Sequence, residues 1–347
     1  MGKLTFVGLG LGDSGVSLAG VEALRGADVA YLEYYTTPHA PRLLGELEKG
    51  AGRAMEIVDR SFVEDGKRIL REAQDRNVAL AVQGDPMVAT THNDLRTRAI
   101  RQGINTETIH GSTIATAAAS ASGLQYYKFG ATVTFTKRSV DYHQQVYRRI
   151  HANLLSGSHT LLLLEFDTEL GSGVDPGILM QGLLDAEKNF KREVVTERTF
   201  LIVVSRVGTK EERISGGEIS KLKNLDFGEP PHVVIVPSSM HFSEREATSA
   251  ICGLDEKTIA DNSAQVRRTA QTLVPKYVEK AKKALGAAKE SLNEEEYHEL
   301  FENAELYIKD AESYIVNGDD ELAMLSIGYA EGLIDSLNFT GKTRLEW

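Results

Sequence analysis

The chain has 347 residues, 41% of them hydrophobic and 26% charged, with a formal net charge of −11. That length suits two or three domains with a sizeable core, and the acidic balance argues against nonspecific binding to nucleic acid, which needs a basic footprint. No apolar run approaches the ~20 residues that span a bilayer, the single cysteine, Cys252, excludes an internal disulfide or a cysteine-based zinc cluster, and the start lacks the marks of a signal peptide, so a cytoplasmic protein without membrane contact is expected.

Leu4–Leu9 is a β-rich run ending in glycines. Helical periodicity follows over Gly15–Gly26, then a strand at Val29–Glu33. Val63–Arg76 reads as a helix, and Val78–Val82 as a strand that stops at Gly84-Asp85-Pro86. Thr91–Gln102 reads as a helix, Thr106–His110 as a strand and Ile114–Ser122 as a helix of small residues. This alternation predicts a mostly parallel α/β sheet with helices on its faces. Past Lys128–Gly130 the alternation is less regular. Strands at Ala131–Thr136 and His159–Glu165 surround an amphipathic helix, Tyr142–Leu155. Next come a helix at Gly177–Asn189, a strand at Thr199–Val207, a short helix at Gly217–Leu222 and a strand at Val233–Val236. After about Asp255 the β-rich runs cease. Leu273–Leu285, Glu294–Asn317 and Asp319–Leu337 have the 3.6-residue period of amphipathic helices. In Asn317-Gly318-Asp319-Asp320 the glycine suits a left-handed C-cap and the aspartate the next N-cap. Leu300, Ala304, Tyr307, Ala311 and Tyr314 read as core facing Ala323, Ile327, Ala330 and Leu333–Ile334, as in a helical hairpin or three-helix bundle. The expected domains are one α/β domain over residues 1–129, a second over 130–258 and an all-helical one over 265–347.

Gly10, Gly12 and Gly15 satisfy G-x-G-x-x-G after the first strand, with Glu33 about twenty residues on. Alone, that fingerprint suggests a dinucleotide and hence a dehydrogenase. The plainer reading is that the glycines permit a tight turn with positive φ. Two further small, polar turns follow strands, Gly84–His92 and His110–Ile114, where open α/β sheets bind ligands. Asp85 serves either a ligand or an Asx turn. His92 reads as a cap of the next helix, and His110 as a core residue ending its strand. His232, beside two prolines, reads as a packed or capping residue, although such a group can take a proton from an amine. No Ser-His-Asp or metal-ligand spacing stands out, so neither a catalytic residue nor a metal is assigned.

Tyr127-Lys128-Phe129-Gly130 and Pro230-Pro231-His232-Val233-Val234-Ile235-Val236-Pro237, with Val7–Leu11, the GDPMVATTH string at Gly84–His92 and Thr160–Phe166, resemble archaeal diphthine synthases. Those are tetrapyrrole-methylase-like, class III methyltransferases, and the resemblance covers about residues 1–255. GDPMVATTH and PPHVVIVP are its most specific strings. The resemblance implies a bilobal fold, with a cofactor cleft between two α/β domains, and a homodimer. It also implies methyl transfer from S-adenosylmethionine, leaving S-adenosylhomocysteine. The acceptor would be the amino group of the 3-amino-3-carboxypropyl-histidine of elongation factor 2, in diphthamide biosynthesis. Cofactor contacts are implied at Leu11, Asp85, Val88, Thr113, Ile114, Leu164, Ser205, Val207 and His232. Departures are Ser112-Thr113-Ile114 for the family's Pro-Ser-Ile, Glu165 for its Asp and Ser238 for its Gly.

Methyl transfer from a sulfonium needs an in-line nucleophile more than an acid/base constellation, so positioning and desolvation suffice. Arg96, Arg98, Arg101, Lys137, Arg138, Arg148 and Arg149 are candidates for docking elongation factor 2, against the blander reading of a solvated face. Two other readings stand beside this one. A tetrapyrrole methyltransferase is opposed by the PPHVVIVP and YKFG strings. The other is a non-catalytic, cofactor-binding scaffold whose helical tail recruits a partner. That tail resembles a small uncharacterised archaeal helical domain through Glu305–Tyr314, Asn317–Asp319 and Tyr329–Asp335, and an interaction or oligomerisation role is expected of it.

Overall fold

Short aliphatic runs set the first sheet in the computed structural model, which describes residues 2–35, 40–137, 140–167, 172–264, 266–293 and 295–343. Its elements are β1 (Lys3–Gly8), α1 (Leu18–Gly26), β2 (Val29–Glu33), α2 (Ala40–Ala51), β3 (Glu56–Val58), α3 (Arg60–Asp65), α4 (Lys67–Ala73), β4 (Asn77–Val82), α5 (His92–Arg101), β5 (Asn105–Ile109) and α6 (Ile114–Ser122). The strands are all parallel, in the order β3-β2-β4-β1-β5. Central β1 and β4 read as nearly continuous apolar runs because helices cover both faces. Leu4, Phe6, Leu80 and Val82 pack with Ile69 and Leu95 on one face. Val7, Ala79 and Ala81 pack with Leu24 and Leu47 on the other.

Two local features depart from the periodicity. α1 starts at Leu18, not Gly15, because the Ser17 hydroxyl accepts the Gly20 amide and caps the helix there. The helix expected over Val63–Arg76 is broken into α3 and α4 at Gly66, whose φ is 63°. Apolar spacing continues across the break, so periodicity alone conceals it; a glycine in the left-handed region ends one helix and opens the next.

The second sheet is built from β6 (Val133–Phe135), α7 (Val140–Leu155), β7 (Thr160–Leu164), β8 (Phe166–Asp167), β9 (Ser172–Gly173), α8 (Pro176–Phe190), β10 (Phe200–Ser205), β11 (Arg213–Glu218), α9 (Ile219–Leu222), β12 (His232–Val236) and α10 (Phe242–Cys252). The order is β11-β10-β12-β7-β6, antiparallel except for β6 with β7; β8 pairs with β9 in a separate two-stranded sheet. The helix expected over Gly217–Leu222 shrinks to α9, because Gly216 and Gly217 pair with Ile202 and Leu201 of β10. A Gly-Gly pair has little strand preference of its own; the neighbouring strand supplies it. Phe135, Leu162, Val203 and Val234 pack on Tyr147 of α7 and Leu179 and Leu183 of α8. On the opposite face Leu161, Ile202, Val204 and Ile235 pack on Ala118 of α6. So α6, which leaves the first sheet, is a layer of the second.

Both sheets lie in one compact unit, Met1–Val266; Arg267–Trp347 form another. The second unit is three helices, α11 (Thr269–Ser291), α12 (His298–Asn317) and α13 (Asp320–Phe339). Its core is rich in alanine, with Ala281, Ala304, Ala311, Ala323 and Ala330 fully buried beside Phe301, Ile327 and Ile334. Leu300, Tyr307, Tyr314 and Leu333 pack at its margin. Gly318 closes α12 with φ 87°, and Asp319 occupies the N-cap position of α13 without a side-chain capping bond. Among the described residues no helix is long and apolar enough to cross a membrane.

Candidate functional site

The chain leaves β1 towards β2 on one side and β4 towards β5 on the other, so a crevice opens at the C-terminal ends of β4, β1 and β5. Three turns meet there at backbone contact. Gly10 and Gly84 exchange both backbone hydrogen bonds, at 3.1 and 2.9 Å. A β-carbon on Gly111 would stand 2.4 Å from the Gly84 carbonyl oxygen and 2.7 Å from the Gly10 nitrogen, so only glycine fits. The Gln83 side-chain amide donates to the Gly10 carbonyl at 2.9 Å, and the Leu11 amide donates to the Ser112 hydroxyl at 3.0 Å.

Asp85, only 6% exposed, ties two of these turns together. Its Oδ1 accepts the Met87 amide at 2.9 Å. Its Oδ2 accepts from His110 Nδ1 at 2.7 Å and the Gly111 amide at 3.3 Å. The Asx turn and the site role are therefore compatible. His110 is not core: its side chain is 71% exposed, held out at the crevice by the carboxylate. Val88, 39% exposed, follows in the same turn. Thr113 caps α6 by accepting the Ala115 amide, which leaves its own proton to donate. Ile114 packs half-buried against the core of the second sheet.

The other expected residues come from that second sheet. β10 pairs Ser205 with His232, and the register that pairs Val233 with Leu163 sets Leu164 beside His232. The buried Ser205 hydroxyl donates to His232 Nδ1 at 2.9 Å, and Nε2 donates to the Gly228 carbonyl at 3.1 Å. A carbonyl only accepts, so Nε2 carries the proton of the neutral ring and Nδ1 is the acceptor. Burial, despite the Gly228 carbonyl and with help from the Arg206 charge, holds the imidazole pKa below its ordinary value. His232 is thus neutral with both nitrogens committed, which suits positioning and not a general base.

Val207 follows β10, and here the two sheets' loops touch. A β-carbon on Gly12 would fall 1.9 Å from the Gly208 carbonyl oxygen, and one on Gly208 would fall 3.2 Å from Leu11 backbone atoms. Leu11, Asp85, Thr113 and Val207 are joined through these turns, and Ser205-Arg206-Val207 connects them to the line of Ser205, His232 and Leu164. Arg206 was not legible in advance. Its backbone takes φ 49°, and its guanidinium binds the carbonyls of Glu211 at 3.0 Å, Phe227 at 2.8 Å and Glu229. Gly12→Ala is expected to force the two loops apart, since φ is 72° and the obstructing atom is backbone. A loss of about 2 kcal/mol or more in the unfolding of the first unit is expected. Denaturant melts that leave this transition unchanged would refute the contact.

Two motifs engage buried carboxylates. Lys128, of the YKFG string, donates to Glu244 Oε2 and to the Ser239 carbonyl, both at 2.6 Å. Glu244 Oε2 also accepts the His241 amide, and its Oε1 accepts from the Gln125 amide and His159 Nε2. Burial acts to raise the Glu244 pKa, but these donors win and hold it at about 2. The only local sign of Glu244 was its place in a capping box with His241. The acidic member of the dinucleotide fingerprint, Glu33, is buried against His92, with Nε2 3.1 Å from Oε2, so it is not presented to a ribose. Nor does His92 cap α5 with its side chain, which is buried beneath the Gly84–Thr90 turn.

Among the expected docking residues, Arg98 is engaged with the Glu64 and Asp65 carbonyls, both at 2.7 Å, and with Asp94, so it closes the end of α3. Arg101, Lys137, Arg148 and Arg149 are exposed, and Arg96 is half-buried. Arg138 lies outside the described residues.

Residues 3–223 match the family model of tetrapyrrole (corrin/porphyrin) methylases, and residues 276–343 match a family of unknown function. A diphthine synthase of Methanocella arvoryzae is 37% identical over 257 residues, covering 72% of this chain and 98% of that one. One from Methanosphaera stadtmanae is 35% identical over 261 residues, covering 74% and 99%. A crystal structure of diphthine synthase superimposes with a TM-score of 0.64 at 33% identity, covering 74% of this chain and 99% of that one.

Proposed function

The chain belongs to the tetrapyrrole methylase family and, within it, to the diphthine synthases, and from that premise we propose that it N-methylates the 3-amino-3-carboxypropyl-histidine of elongation factor 2, with S-adenosylmethionine as donor, as a cytoplasmic homodimer. The observation that carries this reading is the meeting of Leu11–Gly12 with Val207–Gly208 beside the turns tied by Asp85. The residue types there fit the donor. Partly exposed Leu11, Val88, Ile114 and Val207 offer apolar surface to an adenine, while Ser112, Thr113 and the Asp85 carboxylate offer polar partners. When bound, S-adenosylmethionine supplies an electrophilic methyl group on a sulfonium.

In this reading the chain's own residues bind, orient and exclude water. Asp85 fixes two turns, Leu164 gives an apolar wall, and burial keeps His232 neutral while Ser205 orients its ring. The helical unit serves as an interaction or oligomerisation module. Leu322, Leu325 and Tyr329 are exposed at i, i+3, i+7 of α13, and Tyr329 stacks on Tyr307 at 5.4 Å.

Labelled S-adenosylmethionine incubated with elongation factor 2 bearing the unmethylated intermediate tests the reading; transfer of label to the factor is expected. Cofactor binding without transfer would leave only the scaffold. Because His232 has no free lone pair, the amine must arrive neutral. kcat/KM should therefore rise about tenfold per pH unit and level off at the amine's own pKa. An additional limb below pH 6.5 that His232→Asn abolishes would show that His232 acts as a base.

A further inference from the structure

Pro86 contributes no amide, but its carbonyl is where the Gly84–Thr90 turn is held from below. That oxygen accepts from the Thr90 hydroxyl at 2.6 Å and from His92 Nδ1 at 2.9 Å. His92 is fully buried, so this second bond is shielded from water. Because the carbonyl can only accept, Nδ1 carries a proton. The other ring nitrogen, Nε2, faces Glu33 Oε2 at 3.1 Å and the Tyr35 hydroxyl at 3.0 Å. Glu33 closes β2 and its side chain is fully buried. The ring is thus gripped on both edges, by the Pro86 carbonyl on one side and by Glu33 and Tyr35 on the other.

We propose that His92, held by Glu33 and Tyr35, is a positioning residue: through the Pro86 carbonyl it sets the turn that presents Asp85 and Val88 to the cofactor. The proposal rests on the cofactor reading above, which is why part of its test needs no cofactor. Asp85 fastens this turn from the crevice side through Met87 and His110. His92 fastens it from the interior. A turn held at both sides is preorganised, and preorganisation lowers the ordering cost of binding.

The two ring nitrogens can be tested separately. In a Glu33→Gln background, which takes the carboxylate out of the comparison, His92→Asn puts an amide nitrogen where Nδ1 stands, and His92→Gln puts one where Nε2 stands. Amide hydrogen exchange at Met87 and Val88 in the cofactor-free protein should quicken about tenfold in His92→Gln and stay near the parent in His92→Asn, the size expected for one hydrogen bond. The Kd of S-adenosylhomocysteine should weaken about tenfold in the same variant only, while the two variants melt at the same temperature. Equal exchange and equal Kd in the two variants would overturn the proposal, as would a split in melting temperature without a split in exchange. If both variants fail to fold, Thr90→Val removes the other donor to Pro86 and should quicken the same amides severalfold; unchanged exchange would overturn it. If the parent does not bind S-adenosylhomocysteine, the cofactor reading falls, and the exchange result still decides the role of His92.

Discussion

Asp85→Ala should lower kcat/KM for methyl transfer by about 10²–10³-fold, the scale on which displaced site groups act. The carboxylate gathers three donors from two turns: the Met87 amide, His110 Nδ1 and the Gly111 amide. Without it the Gly111 amide loses its partner and His110 its anchor, at about 1–3 kcal/mol of stability. Asp85→Asn separates the contributions. Its amide oxygen can still accept from Met87, and its NH2 group can donate to the other tautomer of His110, but it opposes the Gly111 amide. Its activity should fall between those of the parent and the alanine variant, with stability closer to the alanine variant. Steady-state kinetics with elongation factor 2 and labelled donor, beside a denaturant melt, make both measurements. An alanine variant within threefold of the parent would remove Asp85 from the site.

Glu244→Gln should destabilise the first unit by about 3–5 kcal/mol, since removing one partner of a buried pair strands the other charge, Lys128. For a unit of this size that is a fall in Tm of about 10 °C. Much should return in Glu244→Gln/Lys128→Met, which removes the stranded charge; a double mutant no more stable than the single would contradict the pairing. The same carboxylate governs acid stability. Its pKa lies at about 2 in the folded protein, against an ordinary 4.5. The unfolded chain therefore binds the proton first. A contribution of about 3 kcal/mol is present above pH 4.5 and is lost as pH falls from there towards 2. His159 and His232 act in the same direction earlier. Burial lowers both of their pKa values, so the unfolded chain gains protons as pH falls through about 6.5 and the folded one lags. Unfolding free energy measured from pH 7 to 2 should decline throughout in the parent. In Glu244→Gln the segment below pH 4.5 should be flatter. Identical slopes there would mean that other carboxylates carry the acid transition.

The parts of this protein that follow from local rules were legible beforehand. β1, β2 and β4 announce themselves because parallel strands covered on both faces must be apolar runs. α6 is bounded by Thr113 and Gly123, whose capping preferences are local. Gly318 between α12 and α13 is the same kind of signal. The GDPMVATTH and PPHVVIVP strings also pointed to the right family, because their spacing is specific where a lone glycine loop is not.

What stayed hidden depended on partners distant in sequence. Gly216-Gly217 becomes strand only because β10 lies alongside. Glu244 looks like a surface helix residue until Lys128 and His159, more than 80 positions away, converge on it. Glu33 sits where a dinucleotide-binding acid would stand, and only the packing of His92 turns it inward. The amino-acid sequence by itself determined the layered α/β and helical architecture, the family and the glycine-bearing turns, since periodicity, capping and close backbone approach are properties of neighbouring residues. Which side chains those turns present, which histidine is neutral and which carboxylate is buried were decided by the tertiary structure, because charge state and exposure follow from groups that only folding brings together.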